Sequence, residues 1–96
     1  MMVLITYDVS TADRAGEKRL RRVARACLDY GVRVQKSVFE CTVGDKEWAT
    51  LRGRLLAEMD LVHDSVRIYF LDTASLSRRE HHGAKKPPDL SAPLIA

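Results

Sequence analysis

The sequence predicts an α+β domain of order βαββαβ: a four-stranded antiparallel sheet with two helices on one face. Three observations carry that expectation. An apolar, β-rich run opens the chain at residues 2–9. Two segments, near residues 14–30 and 46–60, repeat their apolar positions at three- and four-residue steps, the period of an amphipathic helix. The segments that follow them, near 32–43 and 64–71, are again rich in β-formers.

Met2 to Val9 is almost continuously apolar, as suits a strand buried on both faces. The run is interrupted at Asp8, and Ser10-Thr11-Ala12-Asp13 follows with turn and N-cap chemistry. The first helix is expected from about Arg14 to Tyr30, with Leu20, Val23, Ala24, Cys27 and Leu28 as its buried stripe. Gly31 stands where a C′ glycine would end it. The segment Arg33–Val43 divides into a short strand near Val32–Gln35, a tight turn or bulge at Lys36-Ser37, and a second strand, Val38–Val43. Gly44-Asp45 then caps a second helix, roughly Lys46–Asp60, whose buried face is marked by Trp48, Leu51, Leu55 and Met59. Asp64–Leu71 is the fourth strand, with Val66, Ile68 and Phe70 alternating against Arg67 and Tyr69. This is the ferredoxin-like arrangement. Residues 1–72 form that domain, and residues 73–96 read as a basic, flexible tail with a terminal apolar segment.

The order raises a problem of its own. The first strand is apolar on both faces, yet helices cover only one. A second copy of the chain, in a symmetric dimer, is the simplest cover. The segment Leu90–Ile95 could add a strand to a partner's sheet.

At 96 residues the chain allows one domain, marginal by itself, so association is a ready source of further core. The net charge of +3 is unevenly spread. Arg14 to Arg33 carries seven Lys or Arg against Glu17 and Asp29; Ser37 to Ser77 carries four against seven acids. A polarised basic region is the footprint of polyanion binding, although a solvated helix face has the same pattern. Cys27 and Cys41 lie in apolar stretches and read as reduced core thiols of a cytoplasmic protein. The opening MMVLITYDV meets Asp8 too early to span a membrane.

No P-loop, GxGxxG, HExxH, CxxC or GxSxG motif is present. The three histidines, His63, His81 and His82, fall in the second half, and the His81-His82 pair reads as solvated. Asp8 is the residue that packing does not require. Burying an unpaired carboxylate is costly, so it is expected to be exposed. It either caps the next helix, a role open also to Ser10, Thr11 or Asp13, or it faces a second Asp8 across a two-fold axis. Two carboxylates and several waters suit Mg²⁺, which can activate water and polarise a phosphodiester. Arg33, Ser37 and Phe39 cluster near the short hairpin. Arg33 can contact phosphate, Ser37 can donate to phosphate or to metal-bound water, and Phe39 reads first as packing.

The strand end ITYDVS, the Arg-rich helix ending DYG, the segment RVQKSVFE and the later SVRIYFLD, in this order and spacing, resemble the small CRISPR-associated endoribonuclease family. This is the smaller of the two near-universal adaptation proteins, the partner of the spacer integrase. The resemblance covers roughly residues 1–72. It implies a ferredoxin-like homodimer in a prokaryotic cytoplasm, and a metal-dependent phosphodiesterase with Mg²⁺ or Mn²⁺ shared between Asp8 of two protomers. By position, Asp8 is the metal ligand and Tyr7 its neighbour; Arg33 and Phe39 match residues tied to activity, with Ser37 between them. Arg14, Lys18, Arg19, Arg22 and Arg33 are the expected nucleic-acid contacts. Arg14 and Arg19 match the family's basic positions only approximately, because Ala15-Gly16 looks like an insertion. Lys36 stands where many relatives carry an aromatic residue.

Members of the family cut RNA, cut duplex DNA, or only scaffold the integrase. Three alternatives therefore stand beside the nuclease: a non-catalytic DNA-binding adaptor bridging the integrase, a toxin-like ribonuclease of the same fold, and a small regulatory domain binding a metabolite. The missing ligand motif and the basic charge count against the last.

Overall fold

A computed structural model describes residues 1–72, 74 and 77–84 of the chain. The expected order is present: β1 (Met2–Asp8), α1 (Arg14–Leu28), β2 (Gly31–Gln35), β3 (Val38–Thr42), α2 (Asp45–Glu58) and β4 (Ser65–Leu71). The sheet order is β2-β3-β1-β4, with every neighbouring pair antiparallel. The proposed added strand at residues 90–95 lies outside the described residues.

β1 is central, and its side chains alternate between two environments. Val3, Ile5, Tyr7 and Val9 enter the core beneath the helices, with Phe39, Cys41 and Val43 from β3 and its end. Val23, Ala24, Ala26 and Cys27 of α1 and Leu51 and Leu55 of α2 close the layer above, with Met59 just beyond α2. Leu4 and Thr6 point to the helix-free face and are only half-buried. Glu40 lies opposite Leu4 on that face, and Arg79 reaches it from the C-terminal segment to form an ion pair.

Two expectations for the end of α1 are corrected. Leu28, the last residue of the helix, is exposed rather than buried: the buried stripe of α1 runs through Gly16, Val23, Ala24, Ala26 and Cys27. Gly31 is not a C′ glycine: Asp29 caps α1 in right-handed geometry and Gly31 is the first residue of β2. Its reason for being glycine is lateral. A Cβ there would lie 2.2 Å from the Glu40 carbonyl oxygen and 2.6 Å from Cys41 Sγ. β2 and β3 join through a two-residue turn at Lys36-Ser37, as expected, and β2 carries a bulge. Arg33 faces Phe39 and Gln35 faces Val38, so Val34 is the extra residue.

The α1 N-terminus is capped by Asp13, whose Oδ1 accepts the Gly16 amide at 2.8 Å. Asp13 thus takes the capping role, leaving Asp8 free of it. Glu47 reaches back to the Gly44 amide at the start of α2. No helix among the described residues is long and apolar enough to cross a membrane.

Candidate functional site

Asp8 is the last residue of β1, and two connections flank it. On one side, the Tyr7 amide donates to the Ser37 carbonyl at 3.1 Å, which sets the β2–β3 turn against the strand end. On the other, Asp8 pairs with Ser65, the first residue of β4. The alternation along β1 turns the Asp8 side chain to the helix-free face, the side of Leu4 and Thr6. It is exposed and forms no hydrogen bond or ion pair among the described residues.

Arg33, Phe39 and Tyr7 form a second group, on the helix side of the sheet. The Arg33 guanidinium lies over the Phe39 ring, 5.1 Å from its centroid, and the Tyr7 ring stacks on Phe39 at 6.0 Å. Burial raises the Tyr7 phenol above its ordinary value, partly opposed by the neighbouring Arg33 guanidinium. Phe39 has no exposed surface, so it cannot touch a substrate. Any part it plays in chemistry runs through the Arg33 and Tyr7 side chains that rest on it. Ser37 is half-buried in the turn, and its backbone carbonyl is the group that meets β1. Within one chain, Asp8 and Arg33 therefore project to opposite faces of the sheet.

The expected basic positions divide by environment. Arg14, Lys18 and Arg22 are exposed and spaced four apart on α1. Arg21 and Arg25 form a second such pair, also exposed. Like charges at this spacing destabilise a helix, and cations near its N-terminus oppose the macrodipole. Only part of this is offset: Arg22 meets Glu58 at 3.6 Å and Arg25 meets Asp29 at 3.5 Å. Glu17 in the first turn, four residues before Arg21, and the placing of Arg25 in the last turn offset more of it. Arg19 is different. Its Nε donates to Asp64 Oδ2 at 2.9 Å and its Nη2 to Oδ1 at 3.3 Å.

Asp64 is the residue that sequence reading missed. It is the one buried charged or polar residue among those described. Besides Arg19, its carboxylate accepts the Ser10 amide at 2.9 Å and the Asp60 amide at 2.9 Å. Chiefly the Arg19 guanidinium holds its carboxyl down to about 2. Its signal in the sequence was faint: an acid at the mouth of the strand that pairs with the Asp8 strand.

One chain offers a metal only part of a site. No group of three His, Cys, Asp or Glu suited to an ion occurs among the described residues. A single exposed carboxylate fits half of a Mg²⁺ or Mn²⁺ site that keeps waters and takes its second carboxylate from elsewhere.

The fold and site define a class: a ferredoxin-like domain that presents, at the end of its central strand, one exposed carboxylate with no partner among the described residues, and carries a basic helix on the opposite face of the sheet. Residues 1–79 match the family model for CRISPR associated protein Cas2, and the chain belongs to that family. It is 55% identical over 95 residues to a Chlorobaculum tepidum protein named CRISPR-associated endoribonuclease Cas2, covering 99% of both chains. It is 50% identical over 95 residues to a Halalkalibacterium halodurans protein named CRISPR-associated endonuclease Cas2, again covering 99% of both. The crystal structure of Streptococcus pyogenes Cas2 superposes with a TM-score of 0.77 at 51% identity, over 86% of this chain and 100% of that one.

Proposed function

We propose that this chain is a CRISPR adaptation protein that acts as a homodimer with metal-dependent endonuclease chemistry on RNA or DNA, beside the CRISPR integrase. The observation that carries the reading is Asp8, an exposed carboxylate without a partner among the described residues, ending a strand that is otherwise largely buried. The names of the relatives, endoribonuclease and endonuclease, support the reaction class.

Asp8 from each of two protomers would hold Mg²⁺ or Mn²⁺. The bound ion would supply Lewis-acid polarisation of the phosphodiester and a water of lowered pKa. The chain's own residues do the rest. Arg14, Lys18 and Arg22 attract the phosphate backbone without reading sequence. Arg33, braced on Phe39, is a further phosphate contact, and Ser37 in the adjoining turn is a hydrogen-bond donor for phosphate or for metal-bound water. Arg19 serves the site by holding Asp64.

The test compares wild type with Asp8→Ala on RNA and on duplex DNA, in Mg²⁺, in Mn²⁺ and in chelator. Cleavage that needs metal and vanishes in the variant is the expected result. Equal cleavage by both proteins, or cleavage in chelator, refutes it. The adaptor reading is favoured by one observation: Arg33 and Asp8 project to opposite faces, so one chain does not assemble them into a single site. Spacer acquisition retained in cells carrying Asp8→Ala would decide for that reading.

A further inference from the structure

An exposed side chain with no partner cannot hold itself in place. The direction in which Asp8 leaves the chain is therefore set by the backbone on either side of it. Upstream, the Tyr7 amide is tied to the Ser37 carbonyl. Downstream, the last β1–β4 pair is Asp8 with Ser65, and beyond it the ladder ends. At that end the Asp64 side chain takes over. Its Oδ1 accepts the Ser10 amide at 2.9 Å, two residues past Asp8, where strand pairing offers no acceptor.

Asp64 is itself held from three directions. Its Oδ2 accepts the Asp60 amide at 2.9 Å, its own amide donates to the Asp60 carbonyl at 2.7 Å, and Arg19 grips both oxygens. The Asp64 side chain has no exposed surface. A buried carboxylate held by charge-assisted hydrogen bonds in this way is stiff and geometrically selective. The loop it holds also has no slack. A Cβ on Gly16 would lie 1.9 Å from the Ser10 carbonyl oxygen, so the first turn of α1 presses directly on the Ser10 backbone.

We propose that Asp64, gripped by Arg19, is the positioning residue for Asp8: its carboxylate replaces the missing rung of the sheet and fixes the direction in which β1 presents the reactive side chain. This rests on the reading of Asp8 as the reactive carboxylate. It assigns to a buried acid and to Arg19 a role in geometry rather than in substrate contact.

The experiment uses the full chain, with Asp64→Asn, Arg19→Lys and a control, Val43→Ala. Val43 is buried just past β3, where its amide donates to the Met1 carbonyl at the opposite end of β1 from Asp8. Asn keeps the size of Asp64 but loses one of the two acceptor oxygens; Lys keeps the charge of Arg19 but not its fork. The first readout is the Asp8 side-chain carboxyl and backbone amide resonances by NMR, at a temperature where every variant is folded. The second is kcat and KM for a cleaved oligonucleotide. In Asp64→Asn the Asp8 resonances shift and kcat falls tenfold or more at unchanged KM. In Val43→Ala the Asp8 resonances stay and kcat stays within twofold. Arg19→Lys falls between them, and decides alone if Asp64→Asn does not fold. Asp8 resonances unmoved in Asp64→Asn, or an equal loss of kcat in Val43→Ala, overturn the proposal. A wild type that cuts nothing removes the nuclease reading, and the resonances then decide the positioning claim alone.

Discussion

Two glycines sit in helices, and replacing each by alanine should change stability in opposite directions. Intrinsic propensity favours alanine over glycine inside a helix by about 0.8–1 kcal/mol. Gly53 in α2 has open space where a Cβ would go, so Gly53→Ala gains most of that amount. Gly16, the third residue of α1, has at most the same propensity term and a much larger opposing one. The new Cβ would fall 1.9 Å from the Ser10 carbonyl oxygen and 3.2 Å from Thr11 Cα, both backbone atoms. The Ser10–Thr11 loop must retreat by about 1 Å or more to reach ordinary contact, as overpacking demands at a typical cost of about 1–3 kcal/mol. That movement strains the Ser10 amide bond to the Asp64 carboxylate, a charged hydrogen bond worth about 1.5–3 kcal/mol. The steric term wins, and the net loss for Gly16→Ala is about 2–3 kcal/mol, or roughly 10–20 °C in Tm for a domain of this size. Thermal and urea unfolding followed by far-ultraviolet circular dichroism, at one fixed protein concentration, measures both variants. A Gly16→Ala protein as stable as Gly53→Ala would show that the close approach does not constrain the loop.

Other outcomes follow from the same contacts. The Asp64 carboxyl is held below its ordinary 3.8, at about 2, chiefly by Arg19. A depressed folded-state value means its stabilisation is complete above about pH 4 and is lost as pH falls through about 2. Arg19→Ala should therefore unfold at higher pH in an acid titration followed by circular dichroism, and an unchanged midpoint would contradict the pairing. Burial pushes the Cys27 thiol up to about 12 and the Cys41 thiol up to about 11. Both should resist a thiol-labelling reagent near neutral pH until the chain unfolds, whereas immediate labelling would contradict their burial. Replacing Arg14, Lys18 and Arg22 together by Gln should flatten the salt dependence of nucleic-acid binding by roughly 0.7–0.9 for each phosphate that the helix no longer neutralises; an unchanged slope would remove α1 from the interface.

Much of the fold was legible because its signals are local. The apolar run of β1, the four-step apolar spacing of α2 and the alternation of β4 each report a periodicity that neighbours in sequence share. The Lys36-Ser37 turn was legible without a strong turn dipeptide, since the β-rich segment around it was too long for one short strand. The signals that misled were also local. Gly31 sat at the expected distance for a helix stop, but the close approach that demands glycine comes from Cys41 and Glu40 on the neighbouring strand. Leu28 continued the apolar spacing, but the buried stripe runs through Ala26 and Cys27 and leaves Leu28 exposed. Asp64 left almost no trace, because its partners Arg19 and Ser10 lie 45 and 54 residues away. At the site, Asp8 stood out as an acid that packing did not explain. The separation of Asp8 from Arg33 did not, since it depends on the alternation of β1 and on the bulge at Val34.

On the proposed function, the exposed Asp8 carboxylate is half of a metal site completed by a second copy. The most direct measurement is a crystal structure of the full chain grown with Mn²⁺, with the ion located by anomalous scattering. The expected result is one Mn²⁺ held by Asp8 of two protomers across a two-fold axis. An ion bound elsewhere, or two Asp8 carboxylates too far apart to share one with metal present, would contradict it.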